Sequence, residues 1–325
     1  MSNNTTTTTS QSTESLIVAY YSMTLIIIGT SFNVMTFVIL CRAKFRDTKA
    51  RPTLHYMRAM AVFDILMLYG WNLDHYLSTI YQFHILTYSI ISCKFISFIS
   101  FFAAQSSAWL RVFICVDRYL SLSRLHKTWF SKSKSVLIII ACIISILFLL
   151  NFHILLFVCY YRANGTISYL SWLYTIYPLW DDVDLGVSNF LPFILMVIFN
   201  SGVIHHLIRL RRTTTVQNSQ IQHRAISITL VITTFLFLIM TVPSSVAFAF
   251  FASSNQTLLH FLDCLMYSYY ALSFPLYLAT FNEFRQECIG ILLCKKNNRR
   301  VEPQTTTKPQ TTTKPQTTTR PQTLH

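Results

Sequence analysis

Two ionisable side chains stand in the middle of apolar stretches, and they are the first candidates for chemistry. Asp64 lies inside the run 53–78 and Arg111 inside the run 89–122. A charge in a lipid-spanning stretch is expensive to insert, so each is expected to pair, to hold an ion or to carry a charge-dependent switch. For Asp64 the alternatives are an ion site and a carboxyl satisfied by hydroxyl groups alone. For Arg111 they are a pair with Asp64 and a side chain that snorkels through water toward a polar face. Arg111 precedes Arg118 by seven residues, two helical turns on one face. Arg118 belongs to the triplet Asp117-Arg118-Tyr119 at the end of its run. There the acid and the arginine hold each other, or the arginine rests on lipid phosphate. Catalytic sets do not form around these residues. Asp64 has no second aspartate at mid-span, and His153 sits near the end of its run with no serine pairing indicated. His205 and His206, being adjacent, point to different helix faces. The chain is expected not to be an enzyme, and no metal-ligand spacing is present.

The elements that must position these residues are long and apolar. Of 325 residues, 53% are hydrophobic and 12% charged, against about 25% charged in a soluble domain. Seven apolar runs are read at 16–41, 53–78, 89–122, 134–158, 185–211, 222–251 and 257–281. They are too long for barrel strands and do not alternate. The expected fold is therefore an all-α membrane protein, a bundle of seven transmembrane helices. The expected divisions are a polar N-terminus at 1–15, with no signal peptide, the bundle at 16–294, and a disordered tail at 295–325. The tail repeats Pro-Gln-Thr-Thr-Thr-Lys and has almost no apolar residues.

Charge sets the direction. With the N-terminus outside, all 26 Lys and Arg except Lys94, Arg111 and Arg162 fall on the inner side, as the positive-inside rule demands. The net charge of +14 then belongs to the cytoplasmic face and to anionic lipid, not to nucleic acid. Four glycosylation triplets, at Asn3, Asn4, Asn164 and Asn255, all fall on the side called outside.

Arg118 follows Cys93 by 25 residues, at the opposite end of the same run. Together with the topology, that spacing resembles the rhodopsin-like (class A) G-protein-coupled receptors, whose third helix closes on an acidic–Arg–Tyr triplet. Other runs carry matching features: Gly29 with Asn33, Ala61-Val62-Phe63-Asp64, Pro192 after Phe190-Leu191, Phe237 six residues before Pro243, and Tyr277 before Phe284-Arg285. The last pair resembles the start of the family's short amphipathic cytoplasmic helix, which is expected here after the seventh span. Departures are equally specific. Met240 and Thr241 stand where the family has Cys-Trp, Ser273-Phe274-Pro275-Leu276-Tyr277 replaces Asn-Pro-xx-Tyr, Cys142 replaces a tryptophan and Asn200 a tyrosine. In these the chain is similar to divergent invertebrate neuropeptide receptors, including FMRFamide-receptor-like sequences.

The resemblance implies roles. Asp64, Asn33, Ser107 and Ser273 would form a pocket for a sodium ion. Asp117 would hold Arg118 at rest and release it to a heterotrimeric G protein, with Tyr119, Tyr277, Phe237 and Pro243 in the switch. His223 and Arg224 stand where the sixth helix usually supplies an acidic partner, so a looser resting lock is expected. Arg111 replaces an aliphatic residue and is expected to loosen the resting packing and raise basal signalling. Cys93 and Cys159, both at outer helix ends in an oxidising compartment, would form a disulfide. Cys294, or else Cys288, would be palmitoylated.

Ligand classes can be narrowed in the same way. Tyr267 stands where opsins have their lysine, and Ser100 where amine receptors have their aspartate. Acids ring the outer face at Asp74, Asp181, Asp182, Asp184 and Asp263, among aromatics Trp71, Tyr76, Tyr177, Trp180 and Phe248, with Ala104 and Thr241 lining the same mouth. These suit a basic or amidated peptide, or are solvated loop charges. The expected product is a plasma-membrane receptor. Its partners are an extracellular peptide, a G protein, membrane lipid and, if the threonine clusters 305–307, 311–313 and 317–319 are phosphorylated, arrestin. The alternatives are a receptor for a lipid or other small ligand and a membrane transporter, although no internal repeat supports the latter.

Overall fold

The computed structural model describes residues 13–42, 45, 52–122, 132–169, 180–213, 218–251 and 256–293. All seven apolar runs are helical. The elements are α1 (Thr13–Cys41), α2 (Thr53–Tyr69), α3 (Trp71–Tyr81), α4 (Ile85–Tyr88), α5 (Ile90–Leu122), α6 (Ser133–Phe157), β1 (Cys159–Tyr161), β2 (Ile167–Tyr169) and α7 (Trp180–Leu185). A π turn at Gly186–Phe190 follows, then α8 (Leu191–Thr213), α9 (Asn218–Phe251), α10 (Gln256–Thr280) and α11 (Asn282–Leu292). Such chains form helices because lipid offers no partner for backbone N–H and C=O groups, so each must be satisfied within its own segment.

Among the described residues, five helices are long and apolar enough to cross a membrane: α1, α5, α6, the stretch Asp182–Arg209 and the part of α9 from Ser227 to Ala247. By this measure the chain is a helical, multi-pass membrane protein. Its outward faces agree, since Ile17, Leu149 and Ile239 are more than 60% exposed, a surface suited to lipid. The runs 53–78 and 257–281 do not reach the same apolarity. The first is divided at Gly70 between α2 and α3. A Cβ on Gly70 would fall 2.5 Å from the Ser100 hydroxyl, so the break sits where the backbone runs close to α5. The second carries His260 and Asp263 on α10.

The helices close a ring around α5. α1 packs on α2, α3 and α10, α2 on α5, α5 on α6 and α8, and α9 on α8 and α10. A main core threads this ring, with Tyr56, Tyr269, Tyr277 and Phe284 among its fully buried side chains. A second cluster gathers Cys93, Phe98, Ile154, Val158, Cys159 and Trp180 at one end.

Two details depart from the all-helical expectation. The stretch read as a loop after the fourth run contains an antiparallel hairpin, pairing Cys159 with Tyr169 and Tyr161 with Ile167. It turns through Gly165 at φ +78°, a conformation that suits glycine. Strands of three residues are too short for alternation to be read. The π turn inserts an extra residue per turn where a continuous α-helix was expected. The short helix after the seventh run is present as α11, with Phe284 and Cys288 buried and Ile289 and Leu292 exposed.

Candidate functional site

Asp64 on α2 and Arg111 on α5 meet at the centre of the bundle, 1% and 2% exposed. Arg111 Nη2 lies 3.0 Å from Asp64 Oδ1 and 3.3 Å from Oδ2. Ser107 donates to Oδ1 at 2.9 Å and Ser273 to Oδ2 at 3.4 Å. Arg111 also donates through Nη1 to the Ser107 carbonyl at 2.9 Å and to the Ser107 hydroxyl. Its Nε donates to the Tyr269 hydroxyl at 3.0 Å, which donates to the Thr233 carbonyl at 3.1 Å. The guanidinium lies over the rings of Phe237 at 4.7 Å and Tyr269 at 4.9 Å. Two charges this deep persist because each is paired and its remaining hydrogen-bonding capacity is used.

Three expectations change here. Of the two alternatives for Arg111, the pair with Asp64 is the one formed. The carboxylate that was expected to hold sodium holds a guanidinium instead, and a second cation beside it would meet like-charge repulsion in a poorly screened interior. Asn33 is not part of that shell: it donates to the Tyr270 carbonyl at 2.8 Å and the Gly29 carbonyl at 2.9 Å, tying α1 to α10. Arg111 bonds α2 and α10 and covers a ring of α9, so in packing terms it braces the bundle rather than loosening it.

One end of α5 carries a second charged group. Arg118 Nη2 is 3.8 Å from Asp117 Oδ2, and Thr53, the first residue of α2, stands between them. Arg118 donates to the Thr53 hydroxyl, which donates to Asp117. Thr53 is 1% exposed. Tyr119 turns away to lie against α8, where a Cβ on Gly202 would fall 2.6 Å from its ring. Replacing Thr53 by Val keeps the shape and removes the bridge. Hydrogen bonds to charged groups contribute about 1.5–3 kcal/mol, so Thr53→Val is expected to lower the thermal unfolding transition of the purified chain and Thr53→Ser to preserve it. Equal transitions for Val and Ser variants would remove the bridge from the account. Tyr277 is buried against Phe284, with ring centroids 5.6 Å apart, whereas Pro243 is exposed on α9. The side chains of His223 and Arg224 lie outside the described residues.

At the opposite end a disulfide joins Cys93 at the start of α5 to Cys159 of β1. The acids there have separate employments. Asp74 accepts the Leu86 backbone N–H at 3.2 Å. Asp184 accepts Gln105 Nε2 at 2.8 Å and the Ser188 hydroxyl at 2.7 Å, and Gln105 in turn accepts Asn151 Nδ2 at 2.6 Å. Trp109 Nε1 donates to the Val187 carbonyl at 3.1 Å, pinning the π turn to α5. Asp263 accepts the Ser244 hydroxyl at 2.7 Å. Trp71 lies parallel to His75 at 4.4 Å and to Tyr267 at 5.7 Å, so three rings form one column between α3 and α10. His260 approaches His75, with ring centroids 5.8 Å apart, and Glu14 of α1, with Nδ1 3.6 Å from Oε1.

Several residues expected to line a mouth have partners within the bundle. Trp180 is 4% exposed and packs on His153 and Phe101 in the cluster around the disulfide. Thr241 donates to its own helix, to the Phe237 carbonyl at 2.7 Å. Ser100 does the same to Ile96 at 2.9 Å, and Ala104 packs against the main core. Asp182 is exposed. The side chains of Asp181 and Phe248, and all of Tyr177, lie outside the described residues.

Among modification sites, Asn164 is exposed in the hairpin turn, its Oδ1 accepting from Thr166. Cys288 is 3% exposed and burial pushes its thiol pKa up, so it is a poor acyl acceptor. Asn3, Asn4, Asn255, Cys294 and the threonine clusters lie outside the described residues. Sequence reasoning missed Tyr269, Thr53, Gln105, Asn151 and Ser244. A hydroxyl on an apolar helix carries little signal on its own, whereas Gln105 and Asn151, full amides inside apolar runs, are a signal of the same kind as Arg111. No protein-family model matches the chain, and no curated protein sequence matches it either.

Proposed function

We propose that this chain is a seven-helix receptor of the rhodopsin-like kind, set in the plasma membrane with its N-terminus outside. It converts the binding of an extracellular ligand, a basic or amidated peptide, into activation of a heterotrimeric G protein. In this reading α2 with α3, and α10, are the two further spans. Their lower apolarity suits helices that carry Asp64, Trp71, Asp263 and Tyr269 toward the bundle interior.

The observation that carries the reading is the layout of α5. One helix begins at a disulfide-tethered hairpin, carries a buried arginine paired across the bundle, and ends on Asp117-Arg118 with Thr53 between them. A receptor needs this continuity, because an event at the tethered end must change contacts at the charged end through an element with two arrangements. The opposed charges of the two ends supply the orientation.

A neuropeptide panel applied to cells expressing the chain, read by calcium and cyclic AMP, tests the proposal. The expected result is a saturable response to a basic or amidated peptide, abolished by Arg118→Ala with surface expression retained. Absence of ligand-stimulated nucleotide exchange, together with transport of a solute, would overturn it.

A further inference from the structure

The chain already builds one guanidinium site, and its parts recur at the Cys93 end. Around Arg111 the parts are a carboxylate (Asp64), a hydroxyl donating to it (Ser107), and the aromatic rings of Tyr269 and Phe237. Six residues before Tyr269 on α10, Asp263 receives the Ser244 hydroxyl of α9 at 2.7 Å. Tyr267 follows Asp263 by four residues, hence on the same helix face, and its ring lies parallel to Trp71 at 5.7 Å. The set is again a carboxylate, a hydroxyl and two aromatic rings. What differs is the cation. Among the described residues no Lys or Arg forms an ion pair with Asp263, whose ionisable neighbour is His260, three residues before it on α10.

We propose that Asp263, with Trp71 and Tyr267, is a subsite for a guanidinium group carried by the ligand. This deepens the receptor reading and rests on it for the subsite being reached from outside. A planar guanidinium forks onto a carboxylate and stacks on a ring at once, whereas an ammonium is a hydrated point charge without a flat face. His75 and Tyr267 lie on parallel planes against Trp71, so the flat surface left for a guanidinium is the outer face of an end ring of the column. The other acids at this end are spent otherwise: Asp74 caps a backbone N–H, and Asp184 is turned to Gln105 and the π turn. His260, between Glu14 and His75, flanks the subsite.

The test uses the full chain, purified in detergent, with arginine amide and the neutral isostere citrulline amide as probes of thermal unfolding. Arginine amide is expected to raise the transition of the wild type and citrulline amide to leave it unmoved. Asp263→Asn is expected to abolish the rise or to move its half-maximal concentration up by about tenfold or more, the factor carried by 1.4 kcal/mol. Trp71→Leu, read in the same way, keeps the test decisive if the Asn variant is poorly folded, and is expected to weaken the rise. Equal shifts with both probes, no shift at all, or full retention in both variants overturns the subsite. A chain that shows the shift but drives no nucleotide exchange keeps the subsite and loses the receptor. One that signals to peptides without the shift keeps the receptor and loses the subsite.

Discussion

Replacing Asp64 by Asn, or Arg111 by Leu, is expected to strip the chain of a large part of its stability, and combining the two is expected to return much of it. Both side chains are almost fully buried and 3.0 Å apart. Removing one leaves the other as a charge without a counter-charge, at a cost of about 3–5 kcal/mol. That is a large fraction of the net stability of a typical fold, about 5–15 kcal/mol. The double variant removes both charges, leaves Ser107 and Ser273 able to bond the amide introduced on α2, and keeps the Tyr269 donation to Thr233. Thermal unfolding of purified protein and cell-surface labelling of the three variants measure this directly. Singles that match the wild type, or a double no better than the worse single, would falsify the coupled pair. For the proposed receptor the direction of basal nucleotide exchange also follows. Arg111 bonds α2 and α10 and covers Phe237 of α9, so Arg111→Leu is expected to raise basal exchange rather than lower it, in whatever fraction of the protein reaches the surface.

Loss of the Cys93–Cys159 disulfide is the second large effect. The bridge spans 66 residues, and closing a loop of that length restricts the unfolded chain by about 4 kcal/mol in the chain-entropy account. It also fixes the hairpin against α5 and helps bury Trp180, Phe98 and Ile154. Cys93→Ser and Cys159→Ser are each expected to lower the unfolding transition and surface delivery, and reductant to do the same to the wild type. The double Ser variant is expected to be no worse than either single, because the second substitution has no bond left to break. Losses that add in the double variant, with a wild type insensitive to reductant, would mean two independent thiols.

How far these features could be read from residues alone depended on whether the signal was local. Helix positions followed from apolar length, and the course of α5 from the distance between Cys93 and Arg118. The amphipathic α11 followed from the family resemblance at Phe284-Arg285. Pairing across helices was harder. Periodicity gives the face on which Arg111 lies, not which of its neighbours it bonds, so Asp64 was one of two alternatives and Tyr269 was not visible at all. Net charge around the mouth was legible while its use was not. Asp74, Asp184 and Asp263 look alike in a charge count, yet one caps a backbone N–H, one faces an amide inside the bundle and one meets a serine beside a ring column. The break at Gly70 was hidden because glycine in an apolar run has no single meaning; only the approach of Ser100 gives it one.

The length of α5 has a geometric corollary. An α-helix turns about 100° per residue, so about 18 residues bring it through five full turns. Cys93 and Arg111 are separated by that interval and therefore share one azimuth, and Arg118 lags it by only about 20°. The bond to the hairpin, the bond to Asp64 and the bond to Thr53 are thus struck along a single line down the rod. Insertion or deletion of one residue anywhere between them would swing the lower stations about 100° off that line, while substitutions of size or polarity leave the angle untouched. The number of residues between Cys93 and Arg118 is accordingly under a stricter constraint than the identity of most of them.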